Sequence, residues 1–233
     1  MRLLVLDCPR EQSQRLPNGN KLAQACQKLQ VDVIVALNVC QHVQAGRAHD
    51  FGPVALPNDG ISCVYQDNLA FHLYQALFQQ KNEWSWGYGA SYLHVDYQLG
   101  VGFLQRTSNC RMWTRKISTT VKLHVIDSPA MICAVVVNPI QEPLTQAIVD
   151  RVHDLLRAQI KPIYLITSRH LESKLVKLGW QSGLKLVQQT TDLWSLEQTV
   201  FVDFGAPVAS MQPLTKSLSF PVTEMNGLLM EVH

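Results

Sequence analysis

The chain has 233 residues, 47% hydrophobic and 16% charged, with a formal net charge of +2. That is enough apolar material for one large domain or two small ones, and too little charge to imply a nucleic-acid partner by itself. No apolar run reaches the length of a membrane span, and the four apolar residues before Asp7 read as a first strand and not as a leader, which points to the cytoplasm.

The six cysteines (Cys8, Cys26, Cys40, Cys63, Cys110 and Cys133) include no pair at the short spacing of a zinc knuckle or redox motif. They read as reduced, mostly buried thiols, and no structural metal is expected.

In chain order, residues 1–7 predict a strand, Pro17-Asn18-Gly19-Asn20 a turn, and Lys21–Leu29 a helix with Leu22, Ala25, Cys26 and Leu29 at helical spacing. Val31–Leu37 is a β-branched run and predicts a second strand. Between Cys40 and Gly60 the pattern breaks. His42, Arg47, His49 and Asp50 fall there among glycines and prolines. Histidines and an acid in a loop suit a metal or catalytic site, but no ligand spacing is fixed, so a solvated loop is the simpler reading. Asn68–Gln79 predicts a helix. Trp84, Trp86 and Tyr88 then alternate at the strand period, which puts them on one face, as a core cluster or as the wall of a ligand site. Ser91–Gln98 alternates too, and Gly100 is placed to turn the chain into a hairpin with residues 101–104.

Residues 97–126 contain no acid but hold Arg106, Arg111, Arg115, Lys116 and Lys122, with Trp113 among them. Such a segment can meet phosphate, or it can simply be solvated. Ile132–Val137 is a buried-strand run. It is followed by an amphipathic helix over 143–159, with Leu144, Ile148, Val152, Leu155 and Leu156 on one stripe. Residues 162–167 predict the next strand, 168–178 a helix capped by Ser168, and 184–188 and 199–204 two more strands. Strand, helix, strand at this spacing fits a parallel crossover. The tail from Ser210 shows little periodicity.

The expected class is therefore α/β, a mixed central sheet flanked by helices. The expected division has an N-terminal α/β region over 1–90, either separate or part of the same domain, a core over 91–208 and a tail over 209–233. The element order across 91–204, and the helix Ser168–Leu178 ending in Lys177-Leu178-Gly179-Trp180, resemble the N-acetyltransferase superfamily, including the acyl-homoserine-lactone synthases. The resemblance implies an acyltransferase-like core in the C-terminal half that takes acyl-CoA or an acyl-carrier protein. Val135 and Val137 would pair with the pantetheine arm, Leu144 and Thr145 would meet phosphate, and Arg111, Arg115 and Lys116 would add phosphate contacts or receive an acidic carrier. The chain departs from that family at Ile140–Thr145, where the phosphate loop needs glycines and this sequence has Glu142 and Pro143.

No catalytic residue can be assigned. There is no Gly-x-Ser-x-Gly, P-loop or His-Glu-x-x-His pattern, and His124 with Asp127, or His153 with Asp154, reads more simply as structural. Two other classes stay open. One is a scaffold or assembly subunit with a protein partner or a second copy, favoured by low charge, five tryptophans and the long tail. The other is a nucleic-acid-binding protein using Arg106, Arg111, Arg115, Lys116 and Trp113.

Overall fold

The computed structural model describes residues 2–8, 19–47, 64–78, 83–106, 111–129, 131–138, 143, 145–157, 163–168, 174–178, 181–185, 199–204 and 226–231. The chain divides into two compact units, Met1–Cys110 with Ala209–His233, and Arg111–Val208. Each is a mixed sheet with few helices.

The first unit is built on β1 (Arg2–Asp7), α1 (Gly19–Lys28), β2 (Val33–His42), α2 (Leu69–Phe78), β3 (Ser85–Leu93), β4 (Tyr97–Gln105) and β11 (Asn226–Glu231). The sheet order is β11-β1-β2-β4-β3, with β1 and β2 parallel and every other pairing antiparallel. Leu4, Leu6, Ile34, Ala36 and Val39 join Trp84, Trp86, Tyr88 and the apolar sides of α1 and α2 in one buried cluster. The aromatic alternation is thus core: Trp86 stacks on Tyr74 at 5.7 Å and tilts against Phe71 at 5.5 Å. Gly102 lets α2 come this close, since a Cβ there would meet the Ala70 Cβ at 2.4 Å.

β2 carries the feature that matters most. Its pairing with β4 slips between Ala36 and Val39, and Asn38 sits in the left-handed region at φ 57°. Asparagine tolerates that conformation better than most residues. The extra residue shifts the side-chain alternation. Val39 and Gln41 come into step with Ile34 and Ala36, while Cys40 and His42 share the opposite face.

The second unit holds β5 (Arg111–Lys116), β6 (Lys122–Asp127), β7 (Ile132–Val137), α3 (Gln146–Arg157), β8 (Ile163–Ser168), β9 (Gln181–Lys185) and β10 (Thr199–Phe204). Its order is β5-β6-β7-β8-β10-β9. β7 and β8 are parallel, and α3 makes the crossover between them. Ile148, Val149, Val152 and Leu156 of α3 pack with Leu123, Val125, Ile132, Ala134, Ile163 and Leu165. Thr145 caps α3, its Oγ1 accepting the Ile148 N–H at 3.4 Å.

Several expectations are corrected here. There are two mixed sheets, not one central sheet. β2 runs five residues past Leu37, because the bulge absorbs Asn38 instead of ending the strand. The hairpin turns at His94–Asp96, and Gly100 lies inside β4. The strand run Ile132–Val137 is preceded by a strand that the sequence reading does not name, β6, antiparallel to it and joined to it where Ser128 bonds Met131. Ser168 is the last residue of β8, and of the helix expected over 168–178 the described residues include helix at 174–176. The strand expected at 184–188 lies at Gln181–Lys185. The tail contributes β11, paired along the whole of β1.

Candidate functional site

Three polar side chains meet at the C-terminal end of β2. Cys40 and His42 are two residues apart on a strand, so they point the same way. The Cys40 Sγ is 4.0 Å from the His42 Nε2, and the His42 Nδ1 is 2.7 Å from the Asp67 Oδ2. Both Asp67 oxygens also accept the His42 backbone N–H, at 3.0 and 2.9 Å. An ionised carboxylate only accepts, so Nδ1 carries the proton and Nε2 presents its lone pair to the sulfur. The side chains of His42 and Asp67 are 30% and 17% exposed. Cys40 is buried. The imidazole thus has the thiol at one ring nitrogen and the carboxylate at the other.

Asp67 is positioned from below by a buried network. The Gln41 Oε1 accepts the Tyr65 N–H at 3.0 Å and an Asn68 Nδ2–H at 2.7 Å, and the Gln41 Nε2 donates to the Gln98 Oε1 at 2.8 Å. Asn68 caps α2 by accepting the Phe71 N–H at 3.1 Å. The segment that carries Asp67 is thereby pinned on both sides. Beneath the site lies Tyr88, whose hydroxyl donates to the Val39 carbonyl at 3.4 Å. Burial, and then the nearby Cys40 and Asp67, push the Tyr88 phenol well above its ordinary range, so it stays neutral. Tyr97 lies beside the imidazole at 6.5 Å, and His94 stacks on Tyr97 at 4.7 Å. Arg47 is exposed on the segment bridged to Tyr65, two residues before Asp67.

The expectation that His42 belongs to a loop is corrected: it is a strand residue, and its partners are Cys40 and Asp67. His49 and Asp50 lie outside the described residues. The two partners escape sequence reasoning because the apolar run of β2 stops at Leu37, which hides the Cys40-x-His42 period. Asp67 is recognisable only as the residue before a helix cap.

The other expected positions do not gather into a site. The backbone of Val135 is paired on both sides, with His124 on β6 and Ile166 on β8, which leaves it no free edge for a pantetheine arm. Val137 pairs with Lys122. Thr145 caps α3, and Leu144 lies outside the described residues. Arg111, Arg115 and Lys116 are exposed on the edge strand β5, whereas the Trp113 ring between them packs against the core. Arg106 belongs to the other unit and pairs with Glu83 at 3.3 Å. His124 is buried and bonded to the Thr114 hydroxyl at 2.9 Å. Burial, and then Lys122, lower it to about 3, so it is a neutral structural group. His153 is half-buried on α3, and Asp154 is exposed beside it.

Among the described residues no three His, Cys, Asp or Glu side chains come together as a metal site, and no helix is long and apolar enough to cross a membrane.

No protein-family profile matches the chain, and no curated protein matches its sequence. Solved structures do. An endonuclease/exonuclease/phosphatase family protein from Leptotrichia buccalis superposes with a TM-score of 0.63 at 12% identity, over 100% of this chain and 99% of that one. A D. rerio TDP2 humanized by 14 mutations gives 0.53 at 10% identity, over 98% of both chains. A mannosyl-6-phosphatase from Bacteroides thetaiotaomicron gives 0.52 at 8% identity, also over 98% of both. These likenesses overturn the acyltransferase resemblance and the acyl-thioester function it implied. The late helix ending in Leu178-Gly179-Trp180 and the strand–helix–strand order are common to many α/β folds and do not discriminate. The chain has the endonuclease/exonuclease/phosphatase fold.

Proposed function

We propose that this protein hydrolyses phosphate esters, with His42 as the base and Asp67 as the group that orients it. The observation that carries the reading is the superposition on the Leptotrichia buccalis protein, with a TM-score of 0.63 over 100% of the chain. Nucleases and phosphatases share one reaction, the cleavage of a P–O ester bond. The hydrogen-bonded His42–Asp67 pair supplies a group suited to it. The Nε2 lone pair removes a proton from the attacking nucleophile as its bond to phosphorus forms. Asp67 holds the Nδ1–H and stabilises the imidazolium that results. Arg47 offers an exposed cation for the phosphate, and Tyr97 a ring for the body of the substrate. Phosphatases and nucleases often place divalent metals at this step. The donors in the described residues do not fit one, so no step here is routed through a metal. Cys8, Cys26, Cys40 and Cys133 are not disulfide-bonded, which suits the reducing cytoplasm, where we place the protein.

The test is turnover of p-nitrophenyl phosphate, bis(p-nitrophenyl) phosphate and an end-labelled single-stranded oligonucleotide, each with and without magnesium or manganese. The oligonucleotide arm also tests a nucleic-acid contact through the exposed Arg111, Arg115 and Lys116 of β5. Wild type should cleave at least one probe, and His42→Ala should lower that rate by about 10²–10⁴-fold. No turnover by wild type with any probe overturns the reading.

A further inference from the structure

We propose that the outer edge of β5 receives an extended, acid-rich segment of a partner protein, which joins the sheet of the second unit as a further strand. The inference stands apart from the phosphate-ester reading and uses neither His42 nor Asp67.

The backbone supplies the template. β5 is the end strand of the order β5-β6-β7-β8-β10-β9, and among the described residues it is paired on one side only, with β6. In an antiparallel pair every second residue turns its N–H and C=O toward the partner, and the residues between turn theirs outward. The outward groups of Arg111–Lys116 can therefore bond another strand. β3 ends the other sheet and makes a useful contrast. It is buried over most of Ser85–Leu93, whereas β5 is exposed at Arg111, Arg115 and Lys116.

The side chains choose the occupant. Three of the six residues of β5 are cations, and residues 97–126 contain no acid. Among the described residues the side chains of Arg111, Arg115 and Lys116 make no hydrogen bond or ion pair. The nearest acid in register is Asp127, opposite Arg111 on β6. Two copies of β5 laid edge to edge would set cations beside cations, which disfavours a second copy of this chain and favours an acidic strand.

The placement of the cations favours a strand over a nucleic acid. Arg111 and Arg115 share the face of Trp113, which packs against the core beneath α3, while Lys116 lies with Thr114 on the opposite face. A strand added in the plane of the sheet sends side chains to both faces and reaches all three cations. A phosphate backbone would track one face, and the ring that could stack a base there is packed on the core. Arg111 and Arg115 are also about 13 Å apart along the strand, the spacing of acids at i and i+4 of an added strand.

The experiment measures fluorescence anisotropy of a fluorescein-labelled eight-residue peptide of alternating Glu and Val, titrated with the full chain at low salt. Saturable binding is expected, weakened by about tenfold or more in the double variant Arg111→Glu, Arg115→Glu, whose circular dichroism should match wild type. Two further peptides carry N-methyl groups on the Glu amides or on the Val amides. At least one of them should bind about tenfold or more weakly, because its ladder donors are gone. No saturable binding of the acidic peptide overturns the proposal. So does binding of both methylated peptides within about threefold of the parent, since charge alone then accounts for the attraction. An eight-residue oligothymidylate that binds wild type more tightly than the peptide, and is lost in the double variant, gives the surface to nucleic acid and overturns the strand as well. If the double variant misfolds, the methylated peptides on wild type decide.

Discussion

His42 ends β2 in the first unit and is hydrogen-bonded to a carboxylate, while His124 lies inside β6 in the second and is hydrogen-bonded to a hydroxyl. Neither surroundings nor role is shared. His42 keeps 30% of its side chain exposed and is hydrogen-bonded to the Asp67 carboxylate at 2.7 Å. His124 is 1% exposed, and burial with Lys122 nearby disfavours its charged form. Two histidines in β-branched runs look alike as sequence. Their partners and their access to solvent make one a candidate base and the other a piece of packing.

The largest expected effect separates them by activity. Asp67→Asn should lower phosphate-ester turnover by about 10²–10³-fold or more, because an amide can hold the ring in the wrong tautomer. His124→Leu should leave turnover within about threefold of wild type. Steady-state rates on the two purified variants check this. Equal losses would mean that the His42–Asp67 pair has no special place in the chemistry.

Gln41→Leu should have the largest effect on stability. It strips partners from the Tyr65 N–H, the Asn68 amide and the Gln98 carbonyl, all buried, at a cost of about 2–4 kcal/mol by denaturant unfolding. Activity should fall as well, since the same amide pins the segment that carries Asp67. A variant with wild-type stability would show that water replaces the network.

His124→Leu tests the other half of the comparison through pH. At neutral pH the Thr114 hydroxyl loses its partner, and the variant should be less stable by about 1–3 kcal/mol. The folded value of His124 is about 3 against an ordinary 6.5, so between these the unfolded chain binds the extra proton. The wild-type contribution is therefore complete above pH 6.5 and is lost as pH falls toward 3. By pH 4.5 that loss is on the order of 2 kcal/mol, and the gap between wild type and variant should close or reverse. Parallel stability curves for the two proteins would show that His124 is not the buried neutral group described.

How far the sequence discloses all this depends on whether periodicity survives locally. Ile132–Val137, the α3 stripe and the 163–168 strand are long, regular patterns, and they lie where the pattern puts them. The aromatic alternation at Trp84–Tyr88 is legible as a shared face, and it is core. β11 is not legible, because a single edge strand flanked by a proline-containing tail carries little signal of its own. The site is hidden for a different reason. Asn38 breaks the apolar run of β2, so the pattern of a strand ends three residues before Cys40. Asp67 joins it only through a contact 25 residues away in sequence. The resemblance to acyltransferases fails because it rests on element order, and β7–α3–β8 is a unit that many folds contain.

The smallest expected effect bears most directly on how the two histidines came to differ. His124 follows plain alternation: it faces away from Leu123 and Val125, and its face is settled by its neighbours. His42 owes its face to the slip at Asn38. Asn38→Gly keeps the left-handed conformation available and should change stability by no more than about 0.5 kcal/mol. Asn38→Ala must hold a Cβ in that region and should cost about 1–2 kcal/mol. If the slip places the site, Asn38→Ala should lose more activity than its stability loss explains, because straightening the strand turns Cys40 and His42 toward α2, where Ala36 and Val39 already pack. Asn38→Gly should keep both. If Asn38→Ala retains full turnover at its lower stability, the bulge is maintained by the pairing with β4 alone, and the asparagine accommodates a register that other residues have already set.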